Sequence, residues 1–179
     1  DYLGSLIIAS PLRLFDCDVP VDGSTAFVLS RVEQARDMPN PLLRFEAIGS
    51  AFHDGGLRRP TDMTSFGAEA AAQMMWSRTD LRPKDMDVGQ IYDGFSFLTL
   101  HWLEALGLCG KGEAGAFVEG GQRIGLAGVL PINTSGGQLS AGRLHGFGHM
   151  HEACVQLWNR GGERQVAGDP RHAVVCNGA

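Results

Sequence analysis

The sequence predicts an α/β chain in which short strands alternate with helices, so that strands pair in parallel within a mixed sheet and helices cover its faces. Three observations predict it. A helical stripe occupies residues 65–78, β-type runs lie on either side of it, and Gly, Pro and Asn punctuate the junctions. Apolar residues make up 44% of the 179, enough for one packed core and too many for a disordered chain.

Taken in order, Asp22-Gly23 is a turn dipeptide leading into Thr25-Ala26-Phe27-Val28-Leu29, a β-type run. Met38-Pro39-Asn40-Pro41 then separates it from a second run, Leu42 to Ile48. That linker is the best candidate boundary between two lobes, residues 1–38 and 39–179. Residues 53–63 read as loop. Ser65 to Arg78 reads as a helix, because Ala68, Ala71, Ala72 and Met75 recur at i, i+3, i+4 and i+7. Arg82-Pro83-Lys84-Asp85 breaks it, and Val88 to Tyr92 reads as a strand. Phe95 to Leu106 is apolar nearly all round and therefore predicts a buried helix, closed by Gly107. Residues 109–128 hold seven glycines and predict a long loop. Leu130 to Thr134 predicts a short strand ending in a Ser135-Gly136-Gly137 turn, His145 to Arg160 a third helix stopped by Gly161-Gly162, and Ala173 to Cys176 a last strand.

Composition narrows the function classes. Fifteen Lys and Arg against 20 Asp and Glu give a net charge of −5 with no basic run, so the electrostatic footprint of nucleic-acid binding is missing. No apolar stretch approaches the roughly 20 residues that span a bilayer. Cys17, Cys109, Cys154 and Cys176 show no CxxC pair or framework spacing and no signal peptide is visible in the sequence, which predicts reduced thiols and a cytoplasmic protein. The chain opens on Asp1-Tyr2-Leu3 and stops at Asn177-Gly178-Ala179 just after a strand-like run. It is therefore expected to be a piece of something longer, incomplete at both ends.

Several motifs have plain readings. Gly110-Lys111-Gly112-Glu113-Ala114-Gly115 fits GxGxxG but follows a helix rather than a strand, with no helix expected to open after it, and reads as a loop. His145, His149 and His151 form an HxxxHxH cluster whose first two members would share a helical face. His151 points elsewhere and no further ligand completes the set, so a polar helix mouth is expected and no metal site. Asn133-Thr134-Ser135 is a glycosylation sequon without a secretory context. Tyr92 reads either as a strand-end aromatic or as a proton-transfer group at a strand-to-helix turn beside Asp93. Cys176 reads either as a functional thiol or as a small core residue. Tyr92-Asp93-Gly94-Phe95, residues 135–151 and Cys176-Asn177-Gly178 all lie at strand ends, where such sheets gather their ligands.

At Ser135-Gly136-Gly137-Gln138-Leu139-Ser140-Ala141-Gly142 the chain resembles the GGxxxxGHPxGAxG loop of thiolases, particularly the sterol-carrier-protein-X (lipid-transfer) branch. Pro11-Leu12-Arg13-Leu14-Phe15-Asp16-Cys17 followed by Asp22-Gly23 resembles that branch's PLxxxDC…DG opening. Tyr92-Asp93-Gly94-Phe95-Ser96 sits where it carries HDCFS, Pro131 to Gly137 is similar to its PVNTSGG, and Cys176-Asn177-Gly178 stands at the CxG cysteine. The matches are collinear over nearly the whole chain. The resemblance implies a thiolase-like fold: the last strand of a first half, then most of a C-terminal βαβαβ half. The missing N-terminal half would hold the nucleophile cysteine.

The departures from the thiolase pattern imply different chemistry. Gly142-Arg143-Leu144 replaces Gly-His-Pro and Tyr92 replaces the Asn or His of the oxyanion hole, so the thiolytic apparatus is altered. These replacements resemble the steroid side-chain aldolases of the same branch, which split a β-hydroxyacyl-CoA by retro-aldol cleavage. The resemblance implies Tyr92 as acid/base, Asp93 positioning it or a water, and His145 or His149 as the second proton-transfer or enolate-stabilising group. The resemblance also implies a second tyrosine, which such aldolases often carry in the loop matching His145-Gly146-Phe147-Gly148, and Phe147 transfers no proton. Cys176 completes the candidate catalytic set, with Ser135, Gly136, Gly137, Arg143, Gly146 and Asn177 as substrate-binding candidates. No cofactor is expected beyond the coenzyme A carried by the substrate. A small OB-fold/zinc-ribbon partner and a homodimer are implied. The competing expectations are a true β-ketoacyl-CoA thiolase and a non-catalytic acyl-CoA-binding subunit.

Overall fold

The computed structural model describes residues 1–52 and 67–178. The N-terminal segment forms a small antiparallel pair, β1 (Ile7–Ala9) and β2 (Leu12–Arg13). It is tied to the remainder by Asp16, a buried carboxylate. Asp16 Oδ2 accepts from the Tyr2 hydroxyl and the Arg13 N–H, each at 2.7 Å, and Oδ1 accepts from the Ser96 hydroxyl at 2.6 Å. The Ser96 bond and the Arg13 N–H hold this carboxyl below its ordinary range. An antiparallel bridge between Cys17 and Phe95 runs alongside. The Asp16-Cys17 pair of the N-terminal motif is thus a docking point for the Tyr92–Ser96 turn.

The central sheet is parallel. Strand β3 (Val88–Gln90) pairs with β4 (Ala173–Val175) in the register Val88↔Ala173, Gly89↔Val174 and Gln90↔Val175. The strand expected over residues 130–134 contributes only a parallel bridge from Ile132 to Gly89. A side chain takes over where the backbone ladder stops. Asn133 has left-handed backbone (φ 46°), its Oδ1 accepts the Ile91 N–H at 2.7 Å, and its Nδ2 donates to the Ile91 carbonyl at 2.9 Å. The amide thereby does the work of a strand residue. It also takes Asn133 out of the sequon's reach, since both amide atoms are engaged.

Helix α1 (Gly67–Trp76) and helix α2 (Ser96–Ala105) pack on one another over one face of this sheet. The predicted alanine stripe is the buried one: Ala68 and Ala72 lie in the core with Ala71 and Met75 against it. Residues 65 and 66 and the loop expected over 53–63 lie outside the described residues. Leu98, Trp102 and Leu103 of α2 are buried against Ile91, Val174 and Cys176. The 109–128 loop departs from expectation by forming a short helix, α3 (Ala114–Val118), which opens inside the GxGxxG match because Ala114 packs into the core. The match still follows α2 rather than a strand. The runs 25–29 and 42–48 form no strand: no ladder partner reaches them among the described residues, and Val28 and Leu29 are exposed.

Helix α4 (Gly137–Ala141) is a short turn leading to helix α5 (Phe147–Leu157), which covers β3 and β4 with polar side chains. Thr134 Oγ1 donates to Glu152 Oε1 at 2.7 Å and accepts from Gln90 Nε2 at 3.0 Å and Gln156 Nε2 at 3.2 Å. Arg164 closes the cluster by gripping both Glu152 oxygens from Nε and Nη2 at 3.0–3.2 Å. Burial pushes the Glu152 carboxyl up, but the bonds from Arg164, Gln156 and Thr134 outweigh it and hold the group below its ordinary value. A fork-to-fork pair of this kind is stronger than a neutral hydrogen bond.

Two stability measurements test this cluster. Arg164→Met should cost about 2 kcal/mol in denaturant unfolding, because it leaves a buried carboxylate short of its charged donors. Since Glu152 is depressed in the folded state, its contribution is present above the unfolded value near 4.5 and disappears as pH falls through the folded pKa. Glu152→Gln should therefore flatten the acid limb of the stability–pH curve below about pH 4.5.

Candidate active site

Loops at the carboxyl end of β3, before α5 and after β4 converge on one carboxylate. Asp93, three residues beyond β3, is buried, and its Oδ1 accepts the Gln138 N–H at 2.8 Å while Oδ2 accepts the Leu139 N–H at 3.3 Å. His149 Nε2, only 1% exposed, stands 3.0 Å from Oδ1 and donates to it, the one role a carboxylate leaves open. Asp93 thus caps the first turn of α4 and fastens α5 to the same point. Gly137 is required there: its φ is +61°, and a Cβ would collide with Asp93 Oδ2.

Tyr92 is buried rather than turned into solvent. Its backbone N–H donates to Cys176 Sγ at 3.3 Å, which joins the tips of β3 and β4. Its phenol folds back over Gly94, so close that a Cβ on Gly94 would stand 2.5 Å from the hydroxyl. Burial pushes the Cys176 thiol far up, against the smaller opposing effect of the Tyr92 N–H, so it stays protonated at neutral pH. A neutral thiol neither attacks a carbonyl nor takes a proton.

The histidines separate. His145 and Gly146 both have left-handed backbone, at φ 48° and 80°, and such a pair cannot continue a right-handed helix. Helix α5 therefore starts at Phe147 instead of His145, and the expected shared face of His145 and His149 does not form. His145 is exposed on the loop, and His151 is exposed on α5. Among the described residues no group of three His, Cys, Asp or Glu is arranged to hold a metal ion.

The other candidates sit around this centre. Gly146 packs on Asn177, so closely that a Cβ at position 146 would stand 2.6 Å from Asn177 Cγ. Ser135 is half-buried and Gly136, φ 96°, is exposed at the same rim. Arg143 turns to the N-terminal segment: its Nε lies 3.3 Å from Asp18 Oδ2 and its N–H donates to the Val19 carbonyl at 2.9 Å. That segment also donates from the Asp18 N–H to the Gly94 carbonyl at 3.2 Å and from the Val19 N–H to the Gln138 carbonyl at 3.3 Å. Asp18 and Gln138 were not among the sequence candidates. An acid upstream of an unusual Arg, and a long amide directly after Gly-Gly, were the signals available.

A parallel α/β core with Tyr-Asp, Gly-Gly and Cys-Asn-Gly loops gathered at its strand tips defines a thiolase-type domain. The family profile described as thiolase C-terminal domain-like matches residues 49–179, and the chain belongs to that family. It is 34% identical to the 17-hydroxy-3-oxo-4-pregnene-20-carboxyl-CoA lyase of Mycobacterium tuberculosis, over 99% of this chain and 47% of the relative. It is 35% identical to the steroid side-chain-cleaving aldolase of Thermomonospora curvata, over 99% of this chain and 46% of that one. Among solved structures it superposes on the Ltp2-ChsH2(DUF35) aldolase with a TM-score of 0.81 at 30% identity, covering 99% of this chain and 47% of that one. The chain spans about half the length of these relatives.

Gly137→Ala tests the convergence. It should lower stability by at least about 2 kcal/mol, from the left-handed backbone alone, and thermal melting of the variant checks it.

Proposed function

We propose that the chain is part of a carbon–carbon lyase that cleaves a steroid side-chain β-hydroxyacyl-CoA by a retro-aldol reaction. One observation carries the reading: the strand-tip loops hold a buried phenol, Tyr92, beside a thiol that burial keeps protonated. Proton transfer is available there and thiolate chemistry at Cys176 is not. The activities of the two steroid-cleaving relatives support the same reading.

In this reaction a base takes the β-hydroxyl proton and the Cα–Cβ bond breaks. Its electron pair moves into the thioester as an enolate, and a ketone leaves. An acid then protonates the α-carbon to give the shorter acyl-CoA. Tyr92 serves as the acid/base. The Asp93 oxygens are taken by His149 and by α4, so this pair positions the loops around the phenol. His145, the exposed one of the two candidate imidazoles, takes the second proton-transfer role. Cys176 serves in packing. Ser135, Gly136, Arg143 and Asn177 line the coenzyme A side, and no resident cofactor is needed. The rest of the subunit completes the tunnel, a second polypeptide assists as the name Ltp2-ChsH2(DUF35) suggests, and the subunits pair as homodimers.

Tyr92→Phe removes a hydroxyl and nothing else, so it should fold normally and lose roughly a hundred-fold or more in cleavage rate. Thioester products should appear from a β-hydroxyacyl-CoA without added coenzyme A. Two thioesters formed from a β-ketoacyl-CoA plus free coenzyme A, with the β-hydroxyacyl-CoA untouched, would establish thiolysis instead. Affinity for both esters with turnover of neither would establish a binding subunit.

A further inference from the structure

Gln138 is left with an unused donor at the middle of the convergence. Its side chain is 3% exposed, its Oε1 accepts the Gly146 N–H at 3.3 Å, and its Nε2 is buried with no hydrogen-bond partner among the described residues. The amide cannot be reversed, because that would set NH2 against the Gly146 N–H, donor facing donor. Buried donors in native proteins are satisfied by protein, water or ligand, and here the described residues supply nothing.

Its neighbours say what the donor is for. The Gln138 N–H rests on Asp93, and the Asp18-Val19 stretch links the Gln138 carbonyl to the Gly94 carbonyl. The Tyr92 phenol lies on Gly94, so the phenol and the Gln138 backbone sit at the two ends of one two-residue link. Arg143, where thiolases carry their histidine, is turned to Asp18. The proposed reaction puts negative charge on the thioester oxygen, and a fixed neutral N–H gains most when that charge develops.

We infer that the Gln138 amide donates to the substrate's thioester oxygen and to the enolate formed from it, a substrate-contacting role distinct from proton transfer by Tyr92. This rests on the chain handling acyl-CoA thioesters.

The experiment uses the intact subunit with its partner and two unreactive ligands of equal length, an acyl-CoA thioester and the S-alkyl-CoA thioether that lacks the carbonyl oxygen. The wild type should bind the thioester at least about ten-fold more tightly, the scale of one charge-directed hydrogen bond. Gln138→Glu keeps an acceptor for Gly146 but removes the donor, and Gln138→Met removes both. Each should bring the two affinities within about two-fold, and cleavage by each should fall in kcat/KM by roughly a hundred-fold or more, a larger loss than that in thioester affinity. If Gln138→Met melts early, Gln138→Glu decides alone. A preference that survives in a variant, whatever its melting temperature, would make Gln138 a packing amide and overturn the inference. Equal wild-type affinity for both ligands overturns it too. Failure of the wild type to bind either ligand overturns the acyl-CoA reading and the inference with it.

Discussion

A single carboxylate organises the strand-tip end of the molecule. Asp93 accepts hydrogen bonds from Gln138, Leu139 and His149, groups that come from two helices and lie 45 to 56 residues away in sequence. Each bond to a buried charged acceptor outweighs a neutral one, and together they set where α4 starts and how α5 lies. The loops around Tyr92, Gly137 and Gly146 take their positions from it. The glycines follow as a geometric necessity, since side chains at 137 and 146 would occupy the space of Asp93 and Asn177.

Behind that carboxylate, α5 faces the sheet with a polar cluster where a helix of this kind usually brings leucines. Thr134 links Glu152, Gln156 and Gln90 through its hydroxyl, and Arg164 locks Glu152 from the far side. The same helix carries His149 one turn earlier. Directional bonds on both turns hold its rotation and height more sharply than apolar packing does, because hydrogen bonds fail within tenths of an ångström. The opposite face, under α1 and α2, is an ordinary apolar core.

How far this was legible in the sequence depended on the range of the interactions. The α1 stripe, the buried α2 and the strands β3 and β4 emerge from local periodicity, and residue order at the Tyr92, Gly137 and Cys176 loops carried the family resemblance. Periodicity failed where the answer lay in a distant partner. Residues 25–29 and 42–48 have a strand's composition but meet no ladder. Asn133 looked like a sequon and proved to be a surrogate strand residue. His145 and His149 share a helical spacing that two left-handed residues cancel. Asp93 looked like a group acting on Tyr92 or a water, and its oxygens proved to be occupied by α4 and α5. Gln138 became visible only once its unused donor could be seen among its neighbours.

The Asp18-Val19 stretch acts as a seam. It lies upstream of the family match at residues 49–179, yet it joins the Gly94 turn, Gln138 and Arg143. Grafting or swapping residues 49–179 alone would leave behind the residues that stitch the strand-tip rim. Evolution of the short upstream ribbon and of the family-matched residues is therefore constrained jointly: drift in the one shifts the strand-tip loops of the other.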